Sequence, residues 1–365
     1  MKMAIRPRPE VKQFTLDPHG GVDEAELERL GLQGKKVLDF SVNTNPFGPS
    51  PKVREALIQV DVTSYPDPSA TRLRRQIAER HGLSLEEVLV GNGSVELIRS
   101  AAFAYLAPED RALIVGPTFG EYRAACALAG AGITVYQTRA GEAFTIDIEG
   151  LTWLIASTKP KLVFLCNPNN PTGLYLEKDQ VERLLSAGSA SLLVLDEAYV
   201  SFVRGSWSAL PLLKPWNLLI LRSLTKDHAL AGLRLGYALG SPEVIEVLSK
   251  VRPPWSTNAL AQAAAIAALE DEAHLRETLA ATASAQEAFV ERLKALGLKV
   301  LPSRTHFFLI EVGDARSFRL NLLKKGFMVR DCTSFGLPSF VRIATRRPEE
   351  NEAFIEAVQE LIEDG

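Results

Sequence analysis

Short apolar runs alternate with amphipathic stretches through the middle of the chain. Five of these runs have the length and unbroken hydrophobicity of fully buried strands: residues 88–90, 112–115, 162–165, 192–195 and 218–221. Segments with the apolar spacing of helices lie between several of them, for example 95–106 and 176–187. This alternation predicts an α/β fold with a mostly parallel sheet, covered by helices on both faces. Ligands of such sheets bind at the carboxyl ends of the strands.

The pattern changes after residue 259. A long helical pattern covers residues 259–296, and short strand-like runs follow it at 299–301, 307–311, 328–330 and 340–344. Helical patterns at 315–325 and 348–363 complete a small α+β unit. We therefore predict an N-terminal arm (1–45) that joins the small domain, a large domain (46–260) and a small C-terminal domain (261–365).

Composition narrows the class of protein. Hydrophobic residues make up 46% and charged residues 23% of the chain, which are globular averages, and the net charge of −3 favours neither nucleic acid nor a membrane as partner. The three cysteines, Cys126, Cys166 and Cys332, are widely spaced and form no CxxC pattern, so no metal site is expected. With no signal peptide at the start and no apolar run of about 20 residues, we expect a soluble, cytoplasmic protein.

Candidate chemistry lies in five motifs that follow one another in a fixed order. Each motif alone has an ordinary structural explanation, but the ordered set predicts an active site. The motifs are Asn167-Pro-Asn-Asn-Pro-Thr-Gly173, Leu195-Asp-Glu-Ala-Tyr199, Arg222-Ser-Leu-Thr-Lys226, Gly232-Leu-Arg-Leu-Gly236 and Val341-Arg-Ile-Ala344.

These residue types suit the chemistry of pyridoxal phosphate. The amine of Lys226 can condense with the cofactor aldehyde. Asp196, at the end of a buried strand, can pair with the pyridine nitrogen and keep it protonated, so that the ring accepts electrons. Asn167 and Tyr199 can donate hydrogen bonds to the phenolic oxygen of the ring. Phe119 can stack on the ring face.

A phosphate group requires its own binding site. Ser223 and Arg234 can donate charge-assisted hydrogen bonds to a dianion. Gly93, Ser94 and Val95 open a predicted helix, so their backbone amides form an anion site at a helix N-terminus.

These motifs resemble those of fold-type I pyridoxal-phosphate enzymes, in particular the class I and II aminotransferase superfamily. The resemblance extends from Asp39 to the last predicted helix. It implies a homodimer with shared active sites between the large and small domains. It further implies that Tyr65 reaches the cofactor phosphate of the partner subunit, and that Arg342 binds the substrate carboxylate.

Two branches of the superfamily are similar to this chain. Histidinol-phosphate aminotransferases resemble it at residues 45–51, 65–68 and 231–237. L-threonine-O-3-phosphate decarboxylases of cobalamin biosynthesis resemble it at 19–21, 38–41, 254–260 and 329–332, and Thr225 stands where the aminotransferases usually have serine. The sequence therefore favours decarboxylation of phosphothreonine to (R)-1-aminopropan-2-ol O-phosphate. Transamination of histidinol phosphate with 2-oxoglutarate is the alternative.

A phosphorylated amino-acid or amino-alcohol substrate requires a second anion site beside Arg342. His19, Asn45 and Arg330 are the candidates, Asn167 is a further substrate contact, and Arg346 is an alternative to Arg330. A non-catalytic regulator with an aminotransferase-like domain is a third possibility, but the segment before Asp39 is too short and not basic enough for a DNA-binding module.

Overall fold

The computed structural model describes residues 5–13 and 17–363. None of the helices in these two ranges is both long and apolar enough to cross a membrane. The helices are α1 Pro9–Gln13, α2 Glu24–Arg29, α3 Pro51–Ile58, α4 Thr71–His81, α5 Gly93–Tyr105, α6 Gly120–Ala129, α7 Ile148–Thr158, α8 Lys178–Ala187, α9 Pro242–Val251, α10 Ala259–Leu269, α11 Glu272–Ala295, α12 Ala315–Lys325 and α13 Pro348–Glu363. The strands are β1 Leu38–Asp39, β2 Val88–Gly91, β3 Arg111–Gly116, β4 Gly132–Gln137, β5 Leu162–Cys166, β6 Leu192–Asp196, β7 Leu218–Ser223, β8 Gly236–Gly240, β9 Lys299–Val300, β10 Phe307–Glu311, β11 Phe327–Met328, β12 Arg330–Asp331 and β13 Phe340–Ala344.

Seven strands form the central sheet in the order β2-β8-β7-β6-β5-β3-β4. All pairs among β3–β7 are parallel, and only β8 runs antiparallel to its two neighbours. The predicted α/β fold class is confirmed. The sequence pattern missed β4, whose residues are only half-buried at the sheet edge, and β8, a five-residue strand that begins and ends with glycine.

Successive side chains of each strand point to opposite faces of the sheet. On one face, which we call the α5 face, Leu219, Leu221 and Ala238 pack against helices α5, α6 and α9. On the other, the α8 face, Ile220 and Leu239 pack against α4, α7, α8 and α10. Both faces are therefore buried and mainly apolar. Polar side chains within these strands are exceptions to this pattern.

The C-terminal part contains a four-stranded antiparallel sheet, β12-β13-β10-β9, and β1 pairs in parallel with β11. The predicted strand 328–330 is divided between these two sheets. The predicted helix 259–296 is also two helices, because the carboxylate of Asp271 caps the start of α11. Residues 38–40 bond to 326–328 and tie the N-terminal arm to this part of the chain. The bounds of the three domains stay a prediction.

Candidate active site

A cleft of about 730 Å³ opens where β5, β6 and β7 end. Its walls combine side chains that follow these strands with others from the N-terminal arm and from β12 and β13. A smaller cavity of about 80 Å³ lies at its base. Residues predicted for one site from distant parts of the sequence therefore meet, and they include His19, Tyr199, Lys226, Arg234, Arg330 and Arg342.

Lys226 lies in the loop after β7 and lines both the cleft and the smaller cavity. Its carbonyl accepts a hydrogen bond from the backbone amide of Asn45 (2.8 Å), which fixes the loop. Its Nζ lies 5.8 Å from the centre of the Tyr199 ring. Burial, together with the nearby guanidinium groups of Arg342 and Arg234, lowers the pKa of Lys226 to about 8. A reactive, neutral amine is therefore available near neutral pH.

Asp196 ends β6 with its carboxylate in the smaller cavity, and only 3% of the residue is exposed. Its Oδ2 accepts a hydrogen bond from the hydroxyl of Tyr122 (2.7 Å), and its Oδ1 accepts one from the amide of Ala198 (3.0 Å). Burial nevertheless raises the pKa of Asp196, since hydrogen bonds from neutral groups only partly offset desolvation. A cationic group in the cavity would stabilise this carboxylate.

Asn170, and not the predicted Asn167, reaches the cleft. The side-chain nitrogen of Asn167 donates a hydrogen bond to the carbonyl of Leu176 (3.1 Å), and its side-chain oxygen accepts one from the amide of Leu176 (2.7 Å). Asn170 lines both cavities, and its Oδ1 accepts a hydrogen bond from Arg342. The prediction that Asn167 contacts cofactor and substrate is corrected accordingly. Its role is to hold the loop that presents Asn170.

Tyr199 and Phe119 stand in the predicted cavity walls. The hydroxyl of Tyr199 accepts a weak hydrogen bond from Asn43 (3.4 Å), and burial raises the pKa of Tyr199 to about 12, so the phenol remains a donor. Phe119 meets the edge of Tyr122 with ring centres 5.8 Å apart. Tyr122 and Asn43 were not predicted, because no motif marks them.

A polar cup forms one end of the smaller cavity. The hydroxyls of Ser223 and Thr225 lie 2.7 Å apart, and Arg234 faces the start of α5 across them. A Cβ added to Gly93 would come within 3.3 Å of Nη2 of Arg234, so glycine keeps the guanidinium close to the helix terminus. The side chain of Asn92 does not cap α5. The amides at the start of α5, including those of Ser94 and Val95, therefore face the cup as donors.

Two arginines from the small sheet lie side by side in the cleft. Arg330 and Arg342 are Cα partners across the β12–β13 ladder, and both are more than 90% buried. Arg330 donates hydrogen bonds to the carbonyl of Pro18 and the hydroxyl of Ser334, and Arg342 donates to the carbonyl of Ser41 and to Asn170. Burial lowers the pKa of both groups. Among the described residues neither arginine pairs with a carboxylate, so the pair is free to bind an anion.

The N-terminal arm brings His19 to the edge of the cleft. Its Nε2 lies 3.3 Å from Oε1 of Glu121, whose other oxygen accepts a hydrogen bond from Arg99 at 2.8 Å. Glu121 is buried in the cleft wall at the start of α6. The sequence prediction missed Glu121, although it is the only acidic residue in the first turn of that helix.

Two other predicted residues lie elsewhere. Asn45 is not in the cleft, because its side-chain amide donates to the carbonyl of Asp227 (3.0 Å) and to Thr278 (2.8 Å). Its expected contact with substrate is therefore corrected to a support for the Lys226 loop. Arg346 pairs with Glu350 outside the cleft. The carboxylate of Asp227 accepts hydrogen bonds from Ser201 (2.7 Å) and from the amide of His228 (2.8 Å).

Tyr65 does not reach the cleft of its own subunit. It is 82% exposed and packs against Trp255, with ring centres 4.8 Å apart and the ring planes tilted by 34°. Its predicted contact with a partner subunit stays a prediction.

Comparison with known proteins gives a consistent result along the chain. Residues 35–358 match the family model of aminotransferase class I and II. A histidinol-phosphate aminotransferase of Symbiobacterium thermophilum is 36% identical over 355 residues, which is 95% of this chain and 96% of that protein. The histidinol-phosphate aminotransferase of Sinorhizobium meliloti, solved in complex with pyridoxal-5'-phosphate, superposes with a TM-score of 0.88 at 26% identity and covers 99% of both chains. The L-threonine-O-3-phosphate decarboxylase of Porphyromonas gingivalis gives 0.77 at 30% identity, covering 89% of this chain and 99% of that one.

The cavity suits pyridoxal phosphate on three separate grounds. Asp196 is a buried carboxylate that forms no close ion pair with any described residue, and the nearby amine of Lys226 only partly offsets its desolvation, so a protonated ring nitrogen would stabilise it. The cup of Ser223, Arg234 and the start of α5 offers donors to a phosphate. Between them, Lys226 offers an amine whose pKa is lowered to about 8.

Proposed function

The chain belongs to the class I and II aminotransferase family, whose members depend on pyridoxal 5'-phosphate, and from that premise we propose that it transfers the amino group of L-histidinol phosphate to 2-oxoglutarate. The sequence favoured decarboxylation of phosphothreonine. The relatives instead favour transamination, since histidinol-phosphate aminotransferases match most of the chain at 34–36% identity. This similarity carries the proposal, and the pair of buried arginines, which meets no carboxylate among the described residues, supports a substrate with anionic groups.

The cofactor, when bound, supplies an aldehyde that bonds to amines and a protonated ring that accepts electrons. In the proposal Lys226 holds this aldehyde between turnovers. When free, its Nζ would be the base that takes the proton from the amine-bearing carbon of the substrate, because it lies in the cavity with a pKa lowered to about 8. Asp196 would keep the ring nitrogen protonated, and the phenol of Tyr199 would donate a hydrogen bond to the ring oxygen.

Arg330 and Arg342 can bind both substrates of such a transamination. Histidinol phosphate presents one phosphate monoester and no carboxylate, whereas 2-oxoglutarate presents two carboxylates. Two adjacent guanidinium groups suit both, since each can form paired hydrogen bonds with a carboxylate or a phosphate. The hydroxyl of Ser334, 2.7 Å from Arg330, adds a neutral donor to the same anion site.

Phosphothreonine decarboxylation is the second candidate. His19 and Gly20, from one of the segments that resemble those decarboxylases, line the cleft beside Arg330. The decarboxylase structure is also 30% identical to this chain, against 26% for the S. meliloti aminotransferase. Phosphothreonine carries a carboxylate and a phosphate together, so it would use both arginines at once.

One set of product assays separates the two reactions. We expect the cofactor-loaded protein to form glutamate from histidinol phosphate and 2-oxoglutarate, and to release no carbon dioxide from phosphothreonine. Lys226→Ala is the control, because product formed by that variant at the wild-type rate would come from a contaminant. Carbon dioxide released from phosphothreonine without an oxo acid, with no glutamate formed from histidinol phosphate, would replace the proposal with the second candidate.

A further inference from the structure

The carboxyl ends of β6 and β7 carry polar side chains on both faces of the sheet. Asp196 and Ser223 lie on the α5 face and line the cofactor cavity. The next residue after Asp196 is Glu197, and the residue before Ser223 is Arg222; by strand alternation both point to the α8 face. Glu197 and Arg222 line neither the cleft nor the smaller cavity. The two residues thus occupy the back of the sheet, directly behind the cofactor site.

Glu197 and Arg222 form a buried ion pair. Nη2 of Arg222 lies 2.7 Å from Oε2 of Glu197, and the two side chains are 19% and 1% exposed. Neither carboxylate oxygen of Glu197 has a well-aligned hydrogen-bond donor among the described residues, so the contact is best described as an ion pair. Although burial acts to lower the pKa of Arg222, the carboxylate raises it above its ordinary value, and the guanidinium is charged.

The backbone and a neighbouring strand extend this pair into a network. The amide of Glu197 donates to the carbonyl of Leu221 (2.9 Å), which joins the ends of β6 and β7. Arg222 is the Cα partner of Tyr237 on β8, and the hydroxyl of Tyr237 lies 3.0 Å from Nε2 of His81 at the end of α4. Burial lowers the pKa of His81 to about 4, so the imidazole is neutral at physiological pH.

A buried ion pair is a poor means of stabilising a fold, because desolvation of the two charges offsets most of their attraction. Apolar side chains at these positions would extend the core of the α8 face at least as well. The location of the pair therefore calls for a different explanation. Each member is adjacent in sequence to a residue of the cofactor cavity.

We propose that Glu197 and Arg222 are positioning residues for the cofactor, which act from the opposite face of the sheet through Asp196 and Ser223. The pair holds the ends of β6 and β7 at a fixed spacing. The two charges behind Asp196 also cancel each other. No net charge there shifts the pKa of the Asp196 carboxylate or of the Lys226 amine. The inference rests on cofactor binding, and not on which of the two reactions follows.

The test compares Glu197→Gln, Arg222→Gln and the double variant. We expect each single variant to weaken cofactor binding to the apoprotein by at least about tenfold, since one buried charge is left unpaired. The pH midpoint of the bound cofactor's visible absorbance should fall in Glu197→Gln, which leaves a positive charge, and should not fall in Arg222→Gln. In the double variant the midpoint should return to that of the wild type. Arg342, Arg234 and Asp196, the charged groups that face Lys226, are unchanged throughout.

Two further variants separate positioning from folding. Arg222→Lys keeps the charge, so its absorbance midpoint should match that of the wild type even if binding is weaker. Glu287→Gln removes one partner of the exposed Arg204–Glu287 pair and should change neither measurement. If the wild type binds cofactor while Glu197→Gln and Arg222→Gln keep its affinity and midpoint, the inference is overturned and the proposed function stands. A lower melting temperature of the apoprotein alone, without these shifts, also overturns it.

Discussion

The two halves of the cleft are built differently. The cofactor half takes its side chains from the ends of three adjacent parallel strands, β5, β6 and β7, and from the start of α5. The substrate half joins Arg342 to Ser41, 301 positions apart in the sequence, and Arg330 to Pro18, 312 positions apart. The cofactor half is therefore fixed by the sheet itself, whereas the substrate half exists only when the N-terminal arm lies against the small sheet.

The halves also differ in charge. The cofactor half contains an acid, Asp196, and an amine, Lys226, whose pKa values are shifted toward their neutral forms by burial. The substrate half contains two guanidinium groups with neutral oxygen partners. One half is thus suited to moving protons, and the other to binding an anion whose chemistry can vary. Changes in the first should affect catalysis and cofactor together, and changes in the second should affect substrate affinity.

The sharpest test of this division is Lys226→Ala. We expect activity to fall by about 10⁴-fold, because the residue is both the covalent anchor of the cofactor and the base. The visible absorbance of the bound cofactor should change to that of the free aldehyde. Substrate analogues that lack an amine should still bind at Arg330 and Arg342 with unchanged affinity. If their affinity fell in parallel with activity, the two halves would not be independent.

Asp196→Asn should weaken cofactor binding without destabilising the apoprotein. Loss of the ion pair with the ring nitrogen should weaken cofactor binding by about 3 kcal/mol, roughly 150-fold. The apoprotein should not lose stability at neutral pH: the pKa of the buried carboxylate is raised, so its ionised form costs folding free energy above its ordinary pKa, and asparagine carries no charge.

Melting temperatures of Asp196→Asn with and without cofactor measure both effects. The reference is Asp227→Asn, whose carboxylate bonds to Ser201 and lies outside both cavities. An apoprotein that melts well below the wild type would mean that Asp196 is structural.

The sequence places most residues of the cofactor half together because they end or closely follow a buried strand, and parallel strands end at the same edge. Lys226, Asp196, Tyr199 and Ser223 all lie where this rule places them. The error at Asn167 has a local cause. Three asparagines, Asn167, Asn169 and Asn170, share one loop, and only the fold shows that backbone groups occupy the side-chain amide of Asn167.

The substrate half was less predictable. Arg330 and Arg342 were found, but Asn45 was placed in the cleft, and Glu121 was missed. Contacts over 300 positions depend on the path of the arm, which no hydrophobic pattern encodes. The fold shows the same limit: strongly apolar central strands were predicted, whereas the half-buried edge strand β4 was not.

Arg342→Lys tests whether Arg342 acts in substrate binding and not in cofactor binding. Lysine keeps the charge but cannot form paired hydrogen bonds, so we expect a loss of about 2 kcal/mol, roughly 30-fold, in kcat/KM. The loss should lie mainly in KM, with cofactor affinity and absorbance unchanged. Arg346→Lys is the matched control, since Arg346 lies four positions away and pairs with Glu350 outside the cleft. A fall in kcat at constant KM would place Arg342 in the cofactor half.

Tyr65→Phe has the smallest expected effect and tests whether a partner subunit completes the cofactor half. An exposed tyrosine far from its own cleft contributes little to the isolated fold, so the melting temperature of the apoprotein should not change. If its hydroxyl donates to the cofactor phosphate of a partner, its loss should weaken cofactor binding about fivefold. Tyr136→Phe is the control, because that hydroxyl bonds to the backbone of Asp147. Equal cofactor affinity in both variants would confine the phosphate site to one chain, with Ser223, Arg234 and the start of α5 as its whole set of donors.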